Sequence, residues 1–238
     1  MNISRAFTFA FDDRDGLVKL LVTALVTVGA IVLTPLLVGL ALLAALLAYQ
    51  AEISRRVRLG LPRPLPGWTN FVGRMQSGAG ILTGMVVYNI PNALLGCCVA
   101  LVLPSLNQTF TGTTVALGLA CCVFPLLIAY NAVIWPMLAL AVARYTDRRE
   151  VGVFFEFGPL LETARRQSDA TIQFLLASIL ANVVLLLFAV IPCAGWVMAP
   201  ALLVPVHGYL MGEYAARALG RPPGDPRPVR SPAHLRRR

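Results

Sequence analysis

Long apolar runs separated by short basic segments set the pattern of this chain. The first run extends from Leu17 to Tyr49 and is interrupted only by Lys19. Four more follow, at Ala79 to Leu103, Thr113 to Ala143, Thr171 to Ile191 and Ala194 to Tyr214. The hydrocarbon core of a bilayer is about 30 Å thick and takes roughly 20 helical residues to cross. Each of the last four runs therefore predicts one transmembrane helix. The last two meet at Pro192-Cys193 and predict a close hairpin. The first run would be about 50 Å long at 1.5 Å per residue, and Pro35 and Gly39 sit near its middle. It is either a single tilted, kinked span or a tight hairpin turning near Thr34-Pro35. The fold class is all-α, an integral membrane bundle of six transmembrane segments, or five if the first run crosses once. One transmembrane domain over residues 1–218 precedes a basic tail over 219–238.

Composition explains what covers this surface. The chain is 58% hydrophobic and 13% charged, with a mean hydropathy of +0.74, where a soluble domain carries about 25% charged residues. Lipid must therefore cover much of it. The net charge of +9 does not call for nucleic acid, because the basic residues lie between apolar runs, where positive charge fixes membrane orientation. All of them but Lys19 are Arg, which hints at a GC-rich prokaryotic genome. Met1 to Asp15 does not read as a secretory signal, since Asp12, Asp13 and Asp15 precede the apolar run and no small-residue cleavage site follows promptly. It is expected to stay on the mature protein.

The connecting segments set the sides. Gln50 to Gln76 carries Arg55, Arg56, Arg58, Arg63 and Arg74 against Glu52 alone. Tyr145 to Ala170 carries Arg148, Arg149, Arg165 and Arg166, with Arg144 adjoining, and Pro104 to Gly112 carries no charge. By the positive-inside rule the basic segments and the C-terminus face the cytoplasm, across a plasma membrane, and the Asn107 loop faces out. The N-terminal charges nearly cancel. A hairpin first run puts both ends inside, and a single span puts the N-terminus outside. A loose internal repeat favours the hairpin. Phe7-Thr8-Phe9, Trp68-Thr69-Asn70-Phe71 and Phe155-Glu156-Phe157 each lead through a polar stretch into an apolar run, as in a threefold parallel repeat. Residues 154–170 read as an amphipathic segment along the membrane surface. Pro159 suits its first turn, Leu160, Leu161 and Ala164 share a face, and Glu162 pairs with Arg166.

Candidate chemistry is sparse. His207 is the only histidine within a span, with Glu213 six residues on. An intramembrane ionisable group is a functional hypothesis by default, although a neutral histidine bonded to a neighbouring helix is the plainer reading. Asn89, Pro91 and Asn92 fall in the second run, and Tyr130, Asn131 and Pro136 in the third. Amides beside a proline can glue helices together or bind a solute. His207, Asn89 and Asn131 are therefore the candidate substrate-binding residues. Cys97, Cys98, Cys121 and Cys122 flank the outer loop, and with Cys193 they make an odd count in apolar surroundings, which is no disulfide framework. Four thiolates could hold a soft metal, but adjacent cysteines on a helix diverge by about 100°, so small residues at helix contacts is the ordinary reading. No metal or cofactor is expected. Pro62-Arg63-Pro64-Leu65-Pro66 reads as a stiff connector, and Asn107-Gln108-Thr109 fits a glycosylation sequon. The Pro- and Arg-rich tail is expected to be disordered, with Arg236, Arg237 and Arg238 free to touch anionic lipid. No metalloprotease helix, nucleotide loop, serine elbow or carboxylate pair is present.

Three stretches together look familiar. They are Ala6-Phe7-Thr8-Phe9-Ala10-Phe11-Asp12-Asp13, Arg63-Pro64-Leu65-Pro66-Gly67-Trp68-Thr69-Asn70-Phe71, and Ala143-Arg144-Tyr145 followed by Phe154-Phe155-Glu156-Phe157. Their order resembles a prokaryotic multi-pass family known as domain of unknown function 4013, over nearly the whole chain to about Ala218. Its members tend to carry an acidic residue beside the loop tryptophan, where this chain has Thr69 and Asn70. The resemblance implies no activity and no catalytic residue. A more distant likeness is to membrane domains found beside glycerophosphodiesterases. The leading expectation is a non-enzymatic scaffold, envelope factor or accessory subunit, working with a membrane partner or as a homo-oligomer. A small transporter or channel is the alternative. An enzyme acting on lipid would have only Glu156 and Glu162 to draw on.

Overall fold

A computed structural model describes residues 1–62, 64–106, 110–192 and 194–220. Arg63, the Asn107-Gln108-Thr109 sequon, Cys193 and the basic tail from residue 221 onward lie outside the described residues. The regular elements of the described chain are helices, with α1 (Ile3–Thr8), α2 (Gly16–Leu33), α3 (Val38–Arg58), α4 (Phe71–Leu106), α5 (Phe110–Arg148), α6 (Phe157–Arg166), α7 (Ser168–Val190) and α8 (Ala194–Ala218) joined by short turns and coil. Six of these, α2 to α5, α7 and α8, are long and apolar enough to cross a bilayer, as expected of a membrane-embedded protein.

The first apolar run is a hairpin, and its turn has a local cause. Pro35 has no N–H and fits the start of a short 3-10 turn, Thr34–Leu36. Thr34 Oγ1 donates to Ala30 O at 2.5 Å, which caps the end of α2. Leu37 then takes a left-handed conformation at φ 61° and reverses the chain. The reversal is so tight that a Cβ at Gly39 would lie 2.2 Å from Thr34 N. The six-span reading therefore holds, and the five-span reading does not.

Side chains on the spans are sorted as lipid requires. The buried positions of α2 are Gly16, Leu20, Thr23, Ala24, Thr27 and Ala30, a stripe of mostly small residues three or four apart. Leu17, Leu21, Leu25, Ile31 and Val32 point outward and are exposed. Lipid tails are as apolar as leucine, so helices gain nothing by hiding it; they gain by close backbone approach over small residues. α3 is the hub, packed on α2, α4, α5 and α8. A Cβ at Gly78 of α4 would lie 1.8 Å from Ala44 O, and one at Gly212 of α8 would lie 2.6 Å from Ser54 O. Gly208 and Gly212 are one turn apart and lay α8 directly on the backbone of α3.

The ends of the helices close on one another. Buried Arg58 at the end of α3 binds Asp147 of α5 at 2.8 Å, and its Nε donates to Gly220 O just past α8 at 2.6 Å. The backbone N–H of Asn2 donates to Glu213 Oε2 of α8 at 3.1 Å, and the terminal amino group donates to Gln173 Oε1 of α7 at 3.4 Å. Both termini of the described chain thus lie at the same end as the arginine-rich connectors. Residues 20–51, 75–143 and 170–212 contain no Asp, Glu, Lys or Arg, so the opposite end is free of these charges among the described residues. Each of the three hairpins starts from the arginine-rich end. The first and third are led by the short helices α1 and α6, and the second by the coil through Trp68. α6 buries Leu160 and Ala164 and pairs Arg166 with Glu162 at 2.7 Å.

Candidate functional site

The in-span candidates fall into two groups. Asn89 Nδ2 donates to Met85 O at 2.8 Å, one turn back on α4. Its Oδ1 accepts from Asn92 Nδ2 at 3.2 Å. Asn92 and Asn131 exchange amide hydrogen bonds at 3.0 and 3.1 Å, and Asn131 Nδ2 also reaches Leu127 O at 2.7 Å. Tyr130 OH donates to Tyr88 O at 2.9 Å. These bonds clasp α4 to α5 beside Pro91. His207 is elsewhere. Its Nδ1 bonds Leu203 O of its own helix at 2.9 Å, which makes Nδ1 the protonated nitrogen, and its ring stacks on Trp135 at 5.9 Å. A cavity of about 450 Å³ between α5 and α7 is lined by Asn131 and Trp135 among apolar residues, but by neither His207 nor Asn89. Glu213 serves Asn2 and Tyr209. Cys97, Cys98, Cys121 and Cys122 are exposed and free.

The amide clasp makes a quantitative expectation. Asn92→Ala strands the partner amide and is expected to cost about 1–2 kcal/mol. A cycle of N92L, N131L and the double variant, followed by denaturation in detergent, should return a coupling of about 0.6–1.7 kcal/mol. Strict additivity would deny the clasp.

The two interfacial carboxylates are engaged by arginines. Glu156 binds Arg144 at 3.3 Å and Arg148 at 3.4 Å, and Glu162 binds Arg166. Among the described residues no three of His, Cys, Asp and Glu are grouped as metal ligands.

A recess that sequence reading did not single out lies at the arginine-rich end. It measures about 360 Å³ and is walled by Glu52 and Arg55 of α3, Thr69 and Asn70 of the connector, Gly73, Arg74 and Ser77 of α4, Tyr145 and Thr146 of α5, and Arg149 just past it. Asn70 sits in the left-handed region at φ 57°, and its Oδ1 accepts from Gly73 N at 3.2 Å to start α4. A Cβ at Gly73 would collide with that amide at 2.5 Å. Arg74 is fixed by its surroundings. Its guanidinium lies 5.3 Å from the Tyr49 ring centre and 5.9 Å from that of Trp68, and Nη2 donates to Gly67 O at 2.8 Å. The two rings stack at 4.4 Å, and Trp68 Nε1 donates to Thr23 Oγ1 at 3.2 Å. Arg149 ends α5 with φ 60° and its N–H on Tyr145 O at 2.8 Å. Tyr145 OH in turn donates to Ser77 O at 2.9 Å, directly over Gly80. Glu52 is held by Arg56 at 2.8 Å, so the only carboxylate of the recess is already neutralised.

The family model described as Protein of unknown function (DUF4013) matches residues 28–198, well over half of the chain. The chain belongs to this family. The match runs from the last third of α2 into the start of α8 and includes every wall of the recess, together with the Trp68 and Tyr145 stretches of the resemblance. The Ala6 to Asp13 stretch and His207 lie outside it. No curated protein and no solved structure matches the chain. Membership in DUF4013 therefore brings a family without an assigned activity.

Proposed function

We propose that this DUF4013 chain is a non-enzymatic scaffold or accessory subunit of the plasma membrane, with its arginine-rich end and its C-terminus in the cytoplasm. The observation that carries the reading is that the in-span polar candidates are spent on holding helices together. Asn89, Asn92 and Asn131 satisfy one another, and His207 is bonded within α8 and stacked on Trp135. Of these residues only Asn131 lines the cavity between α5 and α7, without Asn89 or His207 beside it, which counts against the transport alternative. The interfacial carboxylates Glu156 and Glu162 are each ion-paired with arginine, which counts against their serving as a free acid or base in lipid chemistry. The placement of charge at one end supports the cytoplasmic assignment through the positive-inside rule.

The α4–α5 hairpin supports a partner. At 36 and 39 residues these helices are about 54 and 58 Å long, well beyond the other hairpins. Their distal part shows Leu94, Leu101, Phe124 and Leu126 on the outside. Gentle extraction from native membranes after chemical crosslinking is the test. The reading expects a defined complex well above the 25.6 kDa chain. A chain that runs as an unaccompanied monomer, and that releases a solute from loaded vesicles, would replace the scaffold with the transporter.

A further inference from the structure

Positive charge gathers at the recess. Three guanidinium groups face it, Arg55 from α3, Arg74 from α4 and Arg149 from the residue just past α5. Among the described residues Arg55 and Arg149 have no carboxylate partner, while Glu52 is held by Arg56. At the same end Arg58, Arg144, Arg148 and Arg166 each bind an acid, while Arg217 binds the Gln173 amide; what sets Arg55 and Arg149 apart from the other arginines without an acid is that they face one recess together with Arg74. Arg74 is also incompletely satisfied, because its Nε is buried and has no hydrogen-bond partner. Its stacking on Tyr49 and Trp68 fixes the plane of the guanidinium before any ligand arrives, so little side-chain freedom is left to lose on binding. The hydroxyls of Ser77 and Thr146 already donate to Arg74 O and Ala143 O. What remains to offer a ligand is positive charge, the Thr69 hydroxyl and the Asn70 amide.

We propose that this recess binds the phosphate group of an anionic phospholipid at the arginine-rich face of the membrane. Guanidinium groups match phosphate oxygens in geometry and charge. About 360 Å³ lies within the range of small-ligand sites and suits a headgroup. Its position argues for lipid as the source. The recess opens where α4 begins, beside Trp68 at the level favoured by interfacial aromatics and next to exposed Val72. The inference rests on the membrane-embedded reading but not on which side the arginine-rich end faces, nor on the scaffold role.

The test uses the full chain, purified in detergent and titrated with short-chain phosphatidylglycerol, phosphatidylcholine or inorganic phosphate, with bound ligand counted by native mass spectrometry. R55Q/R149Q alters two exposed side chains, and R165Q/R166Q removes two exposed charges from α6 as a control. Loss of two basic residues is expected to weaken phosphatidylglycerol binding about thirtyfold, with R55K/R149K retaining most of it and the control pair staying within about threefold of the parent. Inorganic phosphate that binds with the same arginine dependence would keep the phosphate site and name a free anion as its source. Equal loss in the control pair, or phosphatidylcholine bound as tightly as phosphatidylglycerol, would overturn the site. So would unchanged lipid binding by R55Q/R149Q together with loss of a co-purifying protein, since the arginines would then serve a protein partner. Thermal unfolding of each variant separates a misfolded chain from an empty site, and R55K/R149K keeps the test decisive if the glutamine pair unfolds.

Discussion

Replacing Gly78 by Ala is expected to destabilise the bundle by about 3 kcal/mol or more, while the same change at Gly96 should be neutral or stabilising by up to about 1 kcal/mol. The two glycines share a helix, α4, and differ only in what faces them. A methyl group at Gly78 would lie 1.8 Å from Ala44 O, a backbone atom that cannot move without shifting α3. At Gly96 nothing lies within 4 Å, so the substitution adds helix propensity and no clash. Gly212 makes a third point on the series. Its added methyl would meet Ser54 O at 2.6 Å, a smaller overlap that predicts an intermediate cost of about 2 kcal/mol. Unfolding in a graded detergent denaturant ranks the three. Equal effects at Gly78 and Gly96 would mean that α3 is not the hub.

Arg58→Ala is expected to be the most damaging single change outside the glycine contacts, costing about 3–5 kcal/mol. The pair with Asp147 is enclosed, with side-chain exposures of 4% and 10%. Removing the arginine leaves a carboxylate in a site that no longer compensates it, and also releases Gly220 O from its 2.6 Å bond. The attraction between the partners must first offset the cost of taking both out of water, so the pair itself contributes less than its loss suggests. R58L/D147L should therefore recover most of the stability that R58A loses. Thermal unfolding in detergent checks this, and a double variant worse than both singles would show that the bridge contributes more than its desolvation takes away.

Much of the architecture was legible because it depends on length and charge. The apolar runs, the arginine-rich connectors and the amphipathic segment all map to elements. Pro35 and Gly39 marked the first turn, although hydropathy alone could not separate a kink from a reversal. The left-handed Leu37 and the contact at Gly39 decide it. The helix starts were less visible. α4 begins at Phe71, eight residues before its apolar run, because the polar turn through Gly73 and Ser77 packs on α3 and α5 rather than on lipid. The spacing of Gly208 and Gly212 was available in the sequence as a small-residue packing signal. The amides were found as a group, but which of them touch depends on how α4 and α5 face. The recess was hidden for the same reason. Arg55 and Arg74 lie on α3 and α4 and Arg149 just past α5, and each reads as one more orientation charge until the packing of α3, α4 and α5 brings them together.

The first run of the six-span bundle turns back at Pro35, which brings the N-terminus and the described arginine-rich segments to one face, proposed above to be the cytoplasmic one. Single cysteines at exposed Ser4, Leu36 and Arg165, placed in a cysteine-free background and probed in intact cells with a membrane-impermeant maleimide, test it most directly. The account predicts labelling of Leu36→Cys from outside, and labelling of Ser4→Cys and Arg165→Cys only after the membrane is permeabilised. Labelling of Ser4→Cys in intact cells, with Arg165→Cys still protected, would contradict the hairpin and return the chain to five spans.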